Sequence, residues 1–199
     1  MLTLIDDGLN VLSVCDDRCV KLWIIHPPSP PNMKAFSLAY GQTNVFGRFE
    51  PLASQGLCFF TFPNDAIYLP PGTIHTVYTI ASGCLTGTTW ASDTGLLASA
   101  QLFEQDYRKR ESMTASFTTM IQSLWCAVQK PDKFPDIQCA LEIICSLDMK
   151  SVWKKSLWKP KKLIELRATL NMVEQELKRH GPMELVCRRC RAGILAHVN

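Results

Sequence analysis

The sequence lacks any run approaching the ~20 consecutive apolar residues that a transmembrane helix needs, which excludes a helical membrane span. Its first residues also lack the apolar centre of a secretory signal peptide, because Asp6 and Asp7 stand where that centre would lie. No internal repeat and no low-complexity tract is found in the chain. These absences predict an intracellular protein, nuclear or cytoplasmic, that has no membrane partner.

Charge is scarce and unevenly placed. Charged residues make up 20% and hydrophobic residues 47% of the 199 positions, a balance typical of one or two globular domains. Residues 1–149 contain nine basic and fourteen acidic side chains, whereas residues 150–199 contain twelve basic and four acidic ones. An acidic body with a basic tail predicts two functional segments, of which the tail would meet an acidic partner.

Cysteine is abundant, with nine residues. Such a number indicates a disulfide framework in a small secreted protein, but without an export signal we expect reduced thiols. Cys58, Cys126 and Cys145 lie in apolar runs and are predicted to be buried as small hydrophobic side chains.

The first 90 or so residues have the pattern of short strands separated by turns. Prolines at positions 27, 28, 30 and 31 predict a loop that contains neither a helix nor a central strand. Strands at this spacing indicate an antiparallel sandwich or barrel. The predicted strands cover residues 11–14, 20–25, 57–62, 66–69, 74–80 and 84–90.

After Trp90 the hydrophobic spacing becomes helical, over residues 94–129 and again over 137–147. The most regular helical pattern covers residues 161–179, where Gly181-Pro182 ends it. The sequence therefore predicts an α+β fold. Its β domain covers residues 1–92, and its helical C-terminal region with the basic tail covers residues 93–199.

Two stretches of the β region carry the functional signal. In NDAIYLPPGTIHTVYT, residues 64–79, a Pro-Pro-Gly turn leads His75 into a strand, which is a way to point an imidazole into a barrel. In CVKLWIIHPPSPPN, residues 19–32, Lys21 lies beside an aromatic residue on a strand that ends at a double proline. Together they resemble the JmjC domain, a branch of the cupin-fold Fe(II)/2-oxoglutarate dioxygenases. The resemblance covers about residues 3–90 and is closest to fungal JmjC-like proteins.

The resemblance implies a partial double-stranded β-helix of the cupin (jelly-roll) type, with Fe(II) and 2-oxoglutarate as cofactors. The family holds iron with a His-x-Asp/Glu pair and a later histidine, which leaves three positions open for 2-oxoglutarate and oxygen. By resemblance Asp6 and His75 are iron ligands, and Lys21 pairs with the far carboxylate of 2-oxoglutarate. Asp65 matches an acidic turn residue with a structural role. The implied activity is protein hydroxylation or histone lysine demethylation, with a protein substrate or chromatin partner.

Position 4 departs from the family pattern, because Leu4-x-Asp6 stands where the family has His-x-Asp. Leucine offers no lone pair, so most of the iron affinity should be lost. The sequence therefore predicts a degenerate or N-terminally truncated JmjC domain: either an impaired dioxygenase, or a pseudoenzyme that acts through its surface and basic tail. A third interpretation is that Met1 is not the true start and that a longer form carries the missing histidine.

Each of these residues also has a structural interpretation. A histidine on a strand, such as His75, is more often a core or surface residue whose ring nitrogens have hydrogen-bond partners than a metal ligand. Asp6 could be a turn residue of Asp-Asp-Gly, and Lys21 could extend its ammonium group to solvent from a strand. His26, beside Pro27, is most simply a loop residue, and we do not predict it as a replacement ligand.

The C-terminal tail holds a second set of potential metal ligands. Cys187 and Cys190 form a Cys-x-x-Cys pair, which is half of a zinc site, and His180 and His197 could complete a tetrahedral set. The alternative is a pair of thiols in an arginine-rich end, where neighbouring positive charges favour the thiolate form.

The basic stretch from Lys150 to Arg191 permits salt-dependent nucleic-acid binding through phosphate contacts. It lacks aromatic stacking residues in register, so a solvated helix face that docks on the β domain is the favoured interpretation. Trp153 and Trp158 are the predicted anchors of that docking.

Overall fold

The chain forms two compact units, Met1–Trp90 and Ala91–Asn199. A computed structural model describes residues 2–4, 8–109, 114–147, 168, 171–176 and 178–179. Within these residues, the first unit contains two small antiparallel sheets and the second is helical. The predicted α+β class is confirmed at this level.

The first unit contains seven strands among its described residues. They form a four-stranded sheet in the order β1-β6-β3-β4 and a three-stranded sheet in the order β5-β2-β7, with every pairing antiparallel. All six predicted strands are present, and β1 was not predicted. Their bounds are β1 Leu2–Leu4, β2 Asn10–Cys15, β3 Val20–His26, β4 Leu57–Thr61, β5 Ala66–Leu69, β6 Ile74–Ala81 and β7 Leu85–Trp90.

The two sheets share one apolar core because strand side chains alternate between faces. Trp23 on β3 packs with Val11 on β2 and with Ile67 and Leu69 on β5, all of them buried. Half-buried side chains of both sheets surround this cluster, namely Ile25, Phe59, Val77 and Leu85.

The Pro-Pro-Gly turn between β5 and β6 is a tight turn closed by a hydrogen bond from the Thr73 N–H to the Pro70 carbonyl at 3.2 Å. Gly72 occupies its third position with φ 79°, a left-handed conformation that glycine adopts without steric cost. The turn therefore sets the point at which β6 begins, and with it the position of His75.

The prediction of a loop without helix around the prolines is wrong. Pro30 and Pro31 occupy the first turn of α1 (Pro30–Ala39), where their missing N–H groups would have no helical partner in any case. A short helix α2 (Val45–Phe49) and a 3₁₀ turn (Glu50–Leu52) follow before β4. Phe36 and Phe49 pack edge to face, with their ring centroids 6.1 Å apart.

The helical unit contains α3 (Leu96–Lys109), α4 (Thr114–Val128) and α5 (Phe134–Ser146), preceded and joined by 3₁₀ turns at Asp93–Gly95 and Pro131–Lys133. The described residues of the predicted helix 161–179 are helical, and its other residues lie outside the described part. Among the described helices none is long and apolar enough to cross a membrane. The buried core of this unit consists of Leu96, Ala100, Phe103, Phe117, Met120, Ile121, Leu124, Ala127, Val128, Ile137, Ala140, Leu141, Ile144, Leu147 and Val173.

The six cysteines that the structure describes in full are free thiols. Burial of Cys58 was predicted wrongly, because the residue lies on the four-stranded sheet's outer strand β4 and is exposed. Cys126 is half-buried, and the side chain of Cys145 lies outside the described part. The buried thiols are Cys15 and Cys19, on either side of the β2–β3 turn.

Candidate functional site

Two of the residues selected from the sequence, Lys21 and His75, lie on the inward face of the four-stranded sheet. Lys21, Trp23 and Ile25 alternate along β3 on this face, because strand side chains repeat every two residues. Their register partners on β6 are Thr79, Val77 and His75. Lys21 and His75 therefore lie on the same face, near opposite ends of the sheet.

Lys21 is a buried cation, with 8% of the residue exposed. Its Nζ donates a hydrogen bond to Thr79 Oγ1 at 2.9 Å, and no carboxylate of the described residues lies within ion-pair distance of it. Burying an ammonium group without an anion is costly. The Lys21 side chain therefore does not simply extend to solvent.

Thr61 on β4 organises the polar groups next to Lys21. Its Oγ1 accepts a hydrogen bond from Trp23 Nε1–H at 2.9 Å and lies 3.3 Å from Cys15 Sγ. All three residues are buried. These bonds fix the indole ring between the Lys21 end and the His75 end of the face.

Cys19 adds a thiol to the same end of the sheet. Burial raises the pKa of the Cys19 thiol, and neighbouring Cys15 acts in the same direction, whereas the positive charge of Lys21 acts in the opposite one. The thiol is therefore protonated at neutral pH and does not serve as the counter-charge of Lys21.

His75 is buried, with 6% of the residue exposed, and its ring centroid lies 6.0 Å from that of Trp23. Its Nδ1 lies 3.3 Å from the Thr73 carbonyl, which can only accept, so Nδ1 carries the proton. A backbone carbonyl that fixes the Nδ1–H tautomer in this way is the usual partner of a histidine that binds a metal through Nε2.

Position 4 is the register partner of His75 on the neighbouring strand β1, as Leu4↔His75. Directly opposed residues of an antiparallel pair have Cβ atoms about 4.5–5.5 Å apart on one face. Leu4, which the resemblance aligns with the first histidine of the family pattern, is thus opposite His75. Asp6 lies outside the described residues, and the described residues contain no group of three or more potential metal ligands.

His26 is a buried strand residue, and the prediction that it lies in a loop is wrong. It ends β3, its ring packs edge-on against Phe49 at 5.0 Å, and its Nδ1 lies 3.4 Å from the Ser54 carbonyl. Because it follows Ile25, the partner of His75, it lies on the other face of the sheet. Its side chain therefore does not share the face on which His75 lies.

Asp65 lies in the β4–β5 turn, where Oδ2 accepts a hydrogen bond from the Phe62 N–H at 2.8 Å. This bond closes the turn. The predicted zinc ligands of the tail, Cys187, Cys190, His180 and His197, lie outside the described residues. So do Trp153, Trp158 and most of the basic stretch.

Several residues of this face were not found from the sequence. Thr61 and Thr79 are ordinary strand residues whose importance comes from being the cross-strand partners of Lys21. The alternation of Lys21 and Trp23 was visible in the sequence, but the pairing of β3 with both β4 and β6 was not.

Comparison with protein-family models gives no match to this chain, and comparison with curated proteins gives none either.

Proposed function

We propose that the protein is a JmjC-type domain of the Fe(II)/2-oxoglutarate dioxygenase class, with its dicarboxylate-binding end retained and its iron-binding end impaired at position 4. The observation that carries the proposal is the buried Lys21 on the same sheet face as His75. Among the residues that the structure describes, Lys21 has a threonine hydroxyl and no carboxylate as its partner.

The strand order supports a jelly-roll of the cupin type. The chain passes between the two sheets at β1–β2, β2–β3, β4–β5, β5–β6 and β6–β7, and stays within one sheet only at β3–β4. Repeated crossing between two antiparallel sheets is typical of jelly rolls, which include the cupins. The seven described strands would form the partial version of that fold.

The position of Lys21 supports recognition of 2-oxoglutarate. Thr79, the partner of Lys21, follows His75 by four residues on β6, which corresponds to about 13 Å along the strand. A five-carbon dicarboxylate is shorter than this separation, so the side chains of Lys21 and His75 would have to reach toward it from the two ends of the face. In this arrangement Lys21 donates a charge-assisted hydrogen bond to the far carboxylate, and Thr79 orients the ammonium group.

The residues present do not fit a complete iron site. Of the three ligands that the family pattern requires, His75 supplies an imidazole, position 4 supplies none, and Asp6 is not among the described residues. One nitrogen and one carboxylate would hold Fe(II) weakly. We therefore infer impaired turnover and assign no catalytic step to a metal.

The experiment is an assay of succinate formation from 2-oxoglutarate with Fe(II) and oxygen, on wild type and Leu4→His. Leu2→His is the matched control, because position 2 is opposite Val77 instead of His75 on the same strand. We expect turnover from Leu4→His alone, and its loss when His75→Ala is added to that variant. Turnover by the wild type that His75→Ala abolishes would contradict impairment, whereas no turnover and no iron uptake by any variant would contradict the family proposal.

The second function is a non-catalytic interaction protein that uses the same fold, with a protein or chromatin partner. Leucine at position 4, where the family pattern has a histidine, favours it. If this second function is correct, Leu4→His would restore iron binding, and His75→Ala would leave the affinity of the protein for its partner unchanged. This proposal includes a nuclear or cytoplasmic compartment, nucleic-acid binding and zinc binding by the tail. Localisation of a tagged full chain tests the compartment.

A further inference from the structure

Two buried thiols lie at the Lys21 end of the sheet face, and the proposed function uses neither of them. Cys15 ends β2 with 2% of the residue exposed, and Cys19, directly before β3, has 0% exposed. Both are free thiols. A single buried cysteine acts as a small hydrophobic side chain, whereas two adjacent ones can also be oxidised to a disulfide.

The β2–β3 turn brings the two side chains to the same place. The Cys19 N–H donates to the Asp16 carbonyl at 3.4 Å, which closes the turn. Cys19 precedes Lys21 by two residues, so the two side chains lie on the same inward face. The Cys15 thiol reaches this face from the other sheet, since its Sγ lies 3.3 Å from Oγ1 of Thr61, the register partner of Lys21. Both thiols therefore adjoin the same pair of residues.

The two thiols also interact with each other. Burial raises the pKa of the Cys19 thiol and a hydrogen bond with Cys15 adds to this, whereas the Lys21 ammonium acts in the opposite direction. Thiols that are neighbours in this way can be joined without a large movement of the backbone. Lys21 stabilises the Cys19 thiolate, which is the form of a cysteine that reacts with oxidants.

The pair lies directly beneath the surface of the β unit. The tip of the turn, residues 17–18, is exposed. The β6–β7 loop packs against the same turn: the Cys84 N–H donates to Asp16 Oδ2 at 2.6 Å, and a Cβ atom at Gly83 would lie 2.6 Å from the Cys19 nitrogen. The thiols are protected while this loop is closed on the turn. A local opening of the turn gives a small oxidant access to Cys19.

We propose that Cys15 and Cys19 form a redox-sensitive pair, which hydrogen peroxide converts into a disulfide and a thiol reductant restores. The Cys19 thiolate attacks one peroxide oxygen and breaks the O–O bond, which gives a sulfenic acid and a hydroxide that takes up the thiol proton as water. The Cys15 sulfur then attacks the sulfenic sulfur and loses its proton, and the displaced hydroxide leaves as a second water. Two thiols and one peroxide thus give one disulfide and two waters, with the sulfur atoms oxidised and the peroxide reduced.

Oxidation should change the sheet face through Thr61. A disulfide has no S–H, so Cys15 can no longer donate to Thr61 Oγ1, which its sulfur now contacts. The same Oγ1 accepts the hydrogen bond from the Trp23 indole N–H. The surroundings of the indole therefore depend on the redox state of the pair. This inference is independent of the proposed iron and 2-oxoglutarate chemistry.

The test is tryptic mapping of the full chain after treatment with hydrogen peroxide and blocking of the remaining thiols. Trypsin cuts after Arg18 and Lys21. The two cysteines then lie in different peptides, residues 1–18 and 19–21, which stay together only if a disulfide joins them. We expect the joined peptides in the wild type, and their separation after dithiothreitol. Cys84→Ser, which removes an exposed thiol on the neighbouring loop, is the matched control and should give the same joined peptides.

A charge variant tests whether the position beside Lys21 matters. Lys21→Met removes the charge that stabilises the Cys19 thiolate and should slow the appearance of the joined peptides several-fold. Lys34→Met, at an exposed lysine on α1, should leave the rate unchanged. Circular dichroism verifies that each protein stays folded during oxidation.

A measurement on the wild type keeps the test valid if a variant misfolds. The NMR signal of the Trp23 indole N–H, identified by its absence from Trp23→Phe, should shift on oxidation and return on reduction. The proposal would be overturned by separate peptides after the exposed Cys58 and Cys84 are fully oxidised. An unchanged rate in folded Lys21→Met, or an unmoved Trp23 signal in the disulfide form, would overturn it as well.

Discussion

The two units of the chain bury different kinds of side chain. The helical unit encloses a large cluster of apolar residues, with Phe103 and Phe117 in contact at 4.8 Å. The β unit has a small apolar cluster and beside it buries Lys21, Thr61 and His75 on one sheet face. Buried polar groups cost stability unless they are paired. In the helical unit the buried Asp106 carboxylate accepts a hydrogen bond from the Ser116 hydroxyl at 2.6 Å, whereas the described residues give the buried Lys21 ammonium a hydroxyl and no carboxylate. The proposed ligand binding therefore lies in the β unit.

The largest effect should come from the helical core. Phe117→Ala removes a side chain of which 2% is exposed and should lower the free energy of unfolding by about 3–5 kcal/mol. Urea unfolding followed by circular dichroism measures this, with Gln122→Ala on the exposed side of α4 as the control. If 2-oxoglutarate binding below the unfolding transition fell as well, the separation of roles between the units would be wrong.

The next largest effect should be on ligand affinity and should come from the β unit. Lys21→Met removes a charge-assisted hydrogen bond worth about 1.5–3 kcal/mol, so the Kd for 2-oxoglutarate should rise by roughly 10–150-fold. The free energy of unfolding should not fall, because the buried ammonium is itself costly. Isothermal titration calorimetry measures the affinity of wild type and Lys21→Met for 2-oxoglutarate. Lys34→Met, at an exposed lysine on α1, is the control and should leave the affinity unchanged.

A smaller effect on stability should separate the contribution of buried hydrogen bonds from that of apolar packing in the β unit. Thr61→Val keeps the shape of the side chain but leaves the Trp23 indole N–H buried without its acceptor, which should cost about 1–3 kcal/mol of unfolding free energy. Chemical denaturation measures the loss, and Thr89→Val on the exposed strand β7 should change stability by less than about 0.5 kcal/mol. Equal effects of the two changes would show that the Thr61 contacts do not stabilise the interior.

The smallest effect should be electrostatic and confined to the helical unit. The Lys130 ammonium, 2.8 Å from Asp93, lowers the pKa of the Asp93 carboxyl. A lowered folded-state pKa contributes stability above the unfolded value, near pH 4, and that stability is lost as the pH falls through the folded value. Asp93→Asn should therefore reduce the difference in unfolding free energy between neutral and acidic pH, and Lys130→Met should do the same. An unchanged pH profile would contradict the role of this pair.

Much of the fold could be predicted from the sequence, because local rules determine it. The six strands of residues 11–90 follow from β-branched runs and turn residues, and the helices after Trp90 follow from the 3.6-residue period. Pro30 and Pro31 were misjudged, since proline is excluded from the interior of a helix and not from its first turn. Cys58 was misjudged because an apolar run does not reveal which face of a strand is buried.

The candidate site was predictable only in part, since it depends on register. Lys21 and His75 were selected from their motifs, whereas Thr79, Thr61 and the pairing of Leu4 with His75 depend on strands far apart in sequence. No local pattern specifies such partners. The zinc and basic-tail predictions concern residues outside the described part and stay predictions.

We propose that leucine at position 4 leaves this chain without an iron-competent site beside His75. Anaerobic titration of Fe(II) into wild type and Leu4→His, each in the presence of 2-oxoglutarate, tests it directly. Losing even a group that orients a metal ligand typically costs roughly 10–100-fold in affinity, so we expect Leu4→His to bind Fe(II) at least about tenfold more tightly than the wild type. Equal affinities of the two proteins would contradict the claim.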